Sequence, residues 1–476
     1  MKAFLTAASV AALASSALAE TRKVPQQYDS IALAVADASP GDTIMVSKGT
    51  YKEHVSVSGK DDLKFVGKKA IWDGNVGGVD GRCLDVQGDG VSVRGFTFRN
   101  GTNQVVVTGS GASISKCTLQ DAGDSAILIY GPASTVTRCR IWGAGSWGIA
   151  IEGADAVVCR DRIEQSFDGG VYVCGDGAGV HRNAIRNVDG RDGILVVGAS
   201  GLVERNGVSG SAEAGIHVDG DDVTVALNVV SWTEQRGVDA YGDRLLATDN
   251  RVTATGDEAI FADGEDATIS GNRVQGTRGH GIAIAGGGFA VNFNAVSTTV
   301  QDAHGLFLSG DGGTATENLM EDTAGWGLYV LGDGNVLAGN EALRCGTQDE
   351  GGILVDGNQT ELAGDSASAC DRAGLVVLGN SNDVVRFVAD GNSAAGIAVF
   401  GSGNAVDASV ATDNGGEGFI NLGIGTILTD GTFHGNGRFD VASAVDGYGA
   451  TFLVFTGNRF DTGGQAQDPE VYLHSE

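Results

Sequence analysis

Between residues 213 and 266 the chain places thirteen acidic and three basic residues, several at a spacing that could do chemistry. His217 with Asp219, Asp239 with Tyr241, and Phe261 with Asp263 are pairs two residues apart, each pair 22 residues after the last. Arg236 and Glu258 stand three residues ahead of the second and third pairs, and His280 continues the Arg236–Glu258 series. Residues two apart share one face of a strand. Carboxylates packed together repel, so they either take up protons or hold a cation. Asp219, Asp239 and Asp263 are hard oxygen ligands of the kind calcium takes. His217 and Tyr241 are candidate proton carriers, and Arg236 is a candidate partner for a bound carboxylate.

Something regular must bring these residues together, and the sequence shows it. A heptad, x-G-aliphatic-x-aliphatic-x-G, recurs as "WGIAIEG" at 147, "DGILVVG" at 192, "AGIHVDG" at 214 and "RGVDAYG" at 236. It continues through "HGIAIAG" at 280 and "WGLYVLG" at 326 to "EGFINLG" at 417, with steps mostly of 22 residues. With looser copies from 82 onward there are about sixteen coils. A unit this short cannot bury a face alone, so neighbours must stack. The alternation of aliphatic and variable positions predicts a strand with one face inward. A second alternation follows in each copy, as in "ATISGNRV" from 267. Two or three short strands per coil make a parallel β-solenoid, since a propeller blade needs about 40 residues.

Fourteen residues after each heptad start lies an asparagine: Asn183, Asn206, Asn228, Asn250, Asn272, Asn294, Asn318 and Asn340. Stacking puts these amides about 4.8 Å apart, where each can donate to the next. With this ladder the chain resembles the right-handed parallel β-helix proteins of the pectin-lyase-like superfamily, over roughly residues 25–460. "YDSIALAVADA" (28–38) and "PGDTIMVSKGTYKEHVSV" (40–57) look like that superfamily's helical cap and first coil. The implied fold is an all-β, right-handed parallel β-helix of about sixteen ~22-residue coils with an N-terminal helical cap. Its divisions are 1–19 (signal peptide), 20–80 (cap and first coils), 81–460 (repeats) and 461–476 (C-terminal tail).

The superfamily includes lyases, hydrolases, esterases, epimerases and proteins without catalysis, so function must come from the site. In the first reading, calcium held by Asp219, Asp239 and Asp263 neutralises a uronate carboxylate and acidifies its C5 proton. His217 or Tyr241 then removes the proton, as in a polysaccharide lyase or epimerase. In the second, "GDEAIFADG" (256–264) with "RGHG" (278–281) is similar to the paired-acid and Gly-His-Gly segments of polygalacturonase-type glycosidases. That resemblance sets Asp257 and Glu258 as the acids and His280 as the histidine. Here the family's upstream aspartate falls near Arg236, its downstream Arg-x-Lys has no match, and His280 occupies an ordinary heptad position. The third reading is a solenoid that binds a glycan or a surface without catalysis.

Composition sets the surroundings. The net charge of −29 repels nucleic acid and acidic polymers unless cations intervene. Lys2, the apolar stretch to about Ala14 and Ala17-Leu18-Ala19 read as a cleaved export signal, too short to span a membrane. The expected protein is secreted or periplasmic and monomeric, with no membrane span and no nucleic-acid partner, and it meets an acidic polysaccharide or cell-surface glycan. Seven cysteines include two pairs in register, Cys117 with Cys139 and Cys345 with Cys370. No Cys/His spacing suits zinc.

Overall fold

The computed structural model describes residues 19–347, 349–444 and 453–466; the expected signal segment, 1–19, lies outside them except for Ala19. Each coil contributes a short strand to each of three parallel sheets. A typical coil is Thr224–Ala226 in the first sheet, Val229–Thr233 in the second and Val238–Tyr241 in the third. Each strand pairs in parallel with its counterpart one coil on, as Val225↔Ala247, Val230↔Val252 and Val238↔Ile260. Among the described residues the sheets hold 20, 19 and 19 strands, about nineteen turns of a parallel β-helix. The heptad pattern gave about sixteen. The extra third-sheet strands are Val55–Ser58, Val441–Ala444 and Gly463–Ala466, which build the same turn without the Gly-aliphatic signature.

Alternation explains the core. In Ile216–Asp219, Ile216 and Val218 are wholly buried, while His217 and Asp219 face outward. Helix Ile31–Asp37 closes the N-terminal end. Ser30 caps it by accepting from Leu33 N at 3.1 Å, Glu53 takes the N–H groups of Ile31 and Ala32, and Ile31, Ala34 and Val35 point into the core.

The asparagine row from Asn183 to Asn340 is continuous and buried. Each amide nitrogen donates to the side-chain oxygen of the next rung, as Asn228 Nδ2 to Asn250 Oδ1 at 3.0 Å, and to a carbonyl of the preceding coil, as Asn228 Nδ2 to Val203 O at 2.9 Å. The next oxygen also takes the backbone N–H of the corner, Asn228 N to Asn250 Oδ1 at 2.9 Å. Every polar atom of the bend is thereby satisfied. Aspartates end the row: Asp161 accepts from Cys139 N at 2.6 Å, and Asp365 accepts from Asn340 Nδ2 at 2.8 Å. Both are buried, with one carboxyl oxygen lacking a partner, and burial pushes the Asp161 carboxyl up to about 7. Cys117 meets Cys139 and Cys345 meets Cys370, thiol to thiol on adjacent coils, as buried free thiols.

Candidate active site on the third sheet

The outward face of the third sheet is ordered by strand register. One column runs Leu195–His217–Asp239–Phe261–Ala283, and the next runs Val197–Asp219–Tyr241–Asp263–Ala285. The inward residues between them are aliphatic and buried, so these side chains stand on a stiff base. Arg236, at the lip of its strand, ties the two columns together. Its Nε donates to Glu258 at 2.9 Å, and its Nη1 to Asp239 at 2.8 Å and to the Tyr241 hydroxyl at 3.0 Å. Its guanidinium carbon lies 3.8 Å from the centre of the Phe261 ring. Burial alone would lower the Arg236 pKa; the bonds to Glu258 and Asp239 outweigh it and raise it. Burial and then Asp239 raise the Tyr241 pKa, which keeps the phenol protonated.

His217 packs beside Tyr241, ring centres 5.6 Å apart. Its Nδ1 lies 3.8 Å from both Asp239 and Asp192, within ion-pair range and beyond hydrogen-bond length. Asp192 accepts from Ala214 N at 3.0 Å, and burial, opposed by His217, pushes its carboxyl up to about 6. The result is an imidazole between two carboxyl groups and next to a phenol that a guanidinium holds. The histidine side chain is 28% exposed and Asp192 only 6%, so the histidine meets solvent beside a nearly buried acid.

Of the nine residues singled out in the sequence, His217, Arg236, Asp239, Tyr241 and Glu258 come together. Asp219 and Asp263 stand apart from that group. They flank Tyr241 in one column, two rungs or about 10 Å apart, while Asp239 is engaged with Arg236. Calcium asks for six to eight converging oxygens. These three carboxylates do not converge, and among the described residues no three His, Cys, Asp or Glu side chains form a metal-holding group. Asp257 lies against Glu258, and burial and then that neighbour raise its pKa. His280 is set in the solenoid edge. Its Nδ1 accepts from His304 N at 3.0 Å, and its ring stacks on His304 at 4.8 Å and Phe307 at 5.1 Å. Burial lowers its pKa.

Two acids escaped the sequence reading. Asp192 opens the "DGILVVG" heptad, in the series of Arg236 and Glu258, and that position could have found it. Glu350 lies in the segment inserted after the coil at 326, where no register fixes a residue's place. Burial, then Asp302 and Asp349, push its carboxyl up to about 7. It comes within 3.9 Å of His304 Nδ1, but that nitrogen accepts from Trp326 N at 3.0 Å, so the contact is not an ion pair.

The fold defines the class: a family model described as right handed beta helix region matches residues 82–190, 169–303 and 291–436. The chain belongs to that family. No curated protein matches it by sequence. Among solved structures, it resembles a mannuronic acid specific polysaccharide family 6 lyase from human gut microbiota, with 13% identity and a TM-score of 0.39. That match covers 76% of this chain and 86% of the other. The PL6 family alginate lyase AlyGC matches with 10% identity and a TM-score of 0.38, covering 94% and 97%. The receptor-binding tailspike of bacteriophage Det7 matches with 13% identity and 0.38, covering 76% and 74%.

Proposed function

We propose that this is an exported polysaccharide-acting protein whose chemistry is proton transfer on the third-sheet face, at a uronate unit. The observation that carries the reading is the His217–Tyr241 pair, 5.6 Å between ring centres, with Arg236 bonded to the phenol. β-Elimination at a uronate needs a base for the C5 proton and an acid for the departing glycosidic oxygen. His217, flanked by Asp192 and Asp239, takes the proton. Tyr241, kept protonated by burial and Asp239, gives its own to the leaving oxygen. Arg236 Nη2 takes no part in the bonds to Glu258, Asp239 and Tyr241 and serves the uronate carboxylate. Return of a proton to the opposite face of C5, without loss of the glycosidic bond, would make the same site an epimerase.

The Asp257–Glu258 contact favours a second reading, hydrolysis by paired carboxyl groups. Against it, Glu258 is held by Arg236 and His280 by the backbone of His304.

Purified protein incubated with uronate polymers, with and without a chelator, tests the proposal. Absorbance of an unsaturated product, or altered C5 configuration, insensitive to the chelator, is the expected result. New reducing ends without unsaturation would hand the site to hydrolysis. No turnover of any uronate polymer would overturn the proposal in favour of a binding solenoid.

A further inference from the structure

The candidate site leaves unexplained a file of cations on the opposite corner of the solenoid, between the first and second sheets. There Lys116, Arg138, Arg160, Arg182 and Arg205 occupy the same place on five consecutive coils. Each donates its backbone N–H to the coil above, Lys116 to Thr137 O, Arg138 to Cys159 O, Arg160 to His181 O, Arg182 to Glu204 O and Arg205 to Ala226 O, all within 3.0–3.2 Å. Each has a left-handed backbone, φ from 53° to 62°, because the chain must turn to send the next residue (Cys117, Cys139, Asp161, Asn183, Asn206) into the core. Asparagine, aspartate and glycine suit that conformation best. Later coils do use Asp249 and Gly271 there. These five rungs instead carry long cationic side chains, all exposed.

The file is poorly neutralised. Arg205 pairs with Glu204, but Lys116, Arg138, Arg160 and Arg182 make no ion pair with a described residue. Elsewhere an exposed arginine meets an acid one rung away, as Arg244 meets Asp222 and Arg344 meets Asp322, both at 2.7 Å. Unit charges about 5 Å apart repel by somewhat under about 1 kcal/mol even in water, and here several do so in sequence. Beside the file, Arg140 and Arg162 stack in the second sheet. Arg162 is paired with Glu164, and Arg140 has no such partner. Between these arginines and Gln120 a shallow cleft exposes Trp142, a residue 47% accessible whose Nε1 is bonded to Gln165.

We propose that this ridge binds a linear anionic glycan lying along the solenoid axis, a polymer bearing about one carboxylate or sulfate per sugar. The ridge offers one cation per about 4.8 Å over about 19 Å, and Trp142 offers a flat apolar plate for a sugar ring between guanidinium groups. A nucleic-acid duplex carries a charge every 1.7 Å or so, far denser than this single file, and the remaining −29 field opposes it. The ridge is remote from the third sheet, so it anchors the protein to a polyanion whatever His217 and Tyr241 do. It also shows how an acidic protein can approach an acidic polymer at all.

The test uses the full-length protein with heparin and a polyuronate as probes, measured by calorimetry over a range of salt. Wild type should bind at least one of them with marked salt dependence. The triple variant Arg138→Gln, Arg160→Gln, Arg182→Gln should bind at least tenfold more weakly, its log K against log salt slope shallower by about 2. The triple lysine variant should keep most of the binding, and both should melt like wild type. Trp142→Ala should weaken binding without changing the salt slope. Equal affinity in the glutamine variant, or wild-type binding to neither probe, would overturn the proposal. Tighter binding of single-stranded DNA than of either glycan would overturn its choice of partner. Turnover of short uronate oligomers should be unchanged in the glutamine variant, which separates failure of the ridge from failure of the third-sheet site.

Discussion

His217 lies within the third sheet and His304 just ahead of a strand of that sheet, four coils on, and the two could hardly be more different. His217 is partly exposed, lies between two carboxyl groups, and neighbours a phenol held by a guanidinium. His304 is buried and stacked on His280, and its Nδ1 is consumed by Trp326 N–H. Burial, and then His280, drive its pKa down to about 3. A repeat can supply an imidazole at either place; what makes one useful is which atoms remain uncommitted. In the His280–His304 stack both Nδ1 atoms accept backbone donors, so those rings are part of the structure. In the His217 region the side chains bond mainly to one another, outside the backbone ladder.

Substitutions can break that contrast or sharpen it. His217→Ala should lower kcat by about 10²–10⁴-fold with binding and melting nearly unchanged, read by steady-state kinetics on the polymer that wild type turns over. Tyr241→Phe should cost about 10²-fold, more with a poor leaving group than with a good one. His304→Ala should do the reverse. Leaving Trp326 N–H without its acceptor and opening a void should cost about 1–3 kcal/mol of stability, measured by urea denaturation, with kcat per folded molecule kept. The folded pKa of His304 lies below its ordinary value of 6.5. Its contribution is therefore present above about pH 6.5 and is lost as pH falls toward 3.

The smallest effect carries the same contrast into the core. Asp161 has its folded pKa raised to about 7 from 3.8, so the native state keeps a proton that the unfolded chain releases. Its stabilising share is present below about pH 4 and is lost as pH rises through 7. Asp161→Asn extends the ladder by one rung, its amide able to donate to Val136 O as Asn183 donates to Val158 O at 2.9 Å. The variant should be more stable than wild type at pH 8 and indistinguishable at pH 4 in thermal melts.

Much of this architecture was legible in the sequence because a solenoid turns linear spacing into spatial register. The 22-residue step put His217, Asp239 and Phe261 in one column, and the fourteen-residue offset put Asn183 to Asn340 in one row. Stacking also placed Cys117 on Cys139 and Cys345 on Cys370. Register says which residues are neighbours on a face. It does not say how long side chains resolve competing partners. Arg236 reaching across to Glu258, Asp239 and Tyr241 at once depends on side-chain torsions. That choice engages Asp239 with Arg236. Asp219 and Asp263 look adjacent when written as "VDG" and "ADG", yet the "AYG" rung between them separates them. Glu350 was invisible for a different reason: it sits in an insertion, where the period stops giving positions.

In the proposed reaction, proton transfer belongs to His217 and not to the imidazoles of the solenoid edge. The most direct measurement is turnover of a uronate polymer by His217→Gln and His280→Gln side by side, with folding checked by melting. Loss of product formation by at least 10²-fold in His217→Gln, with His280→Gln within a few-fold of wild type, is the predicted result. Retained turnover in His217→Gln, with loss in a well-folded His280→Gln, would contradict the account and move the chemistry to Asp257, Glu258 and His280.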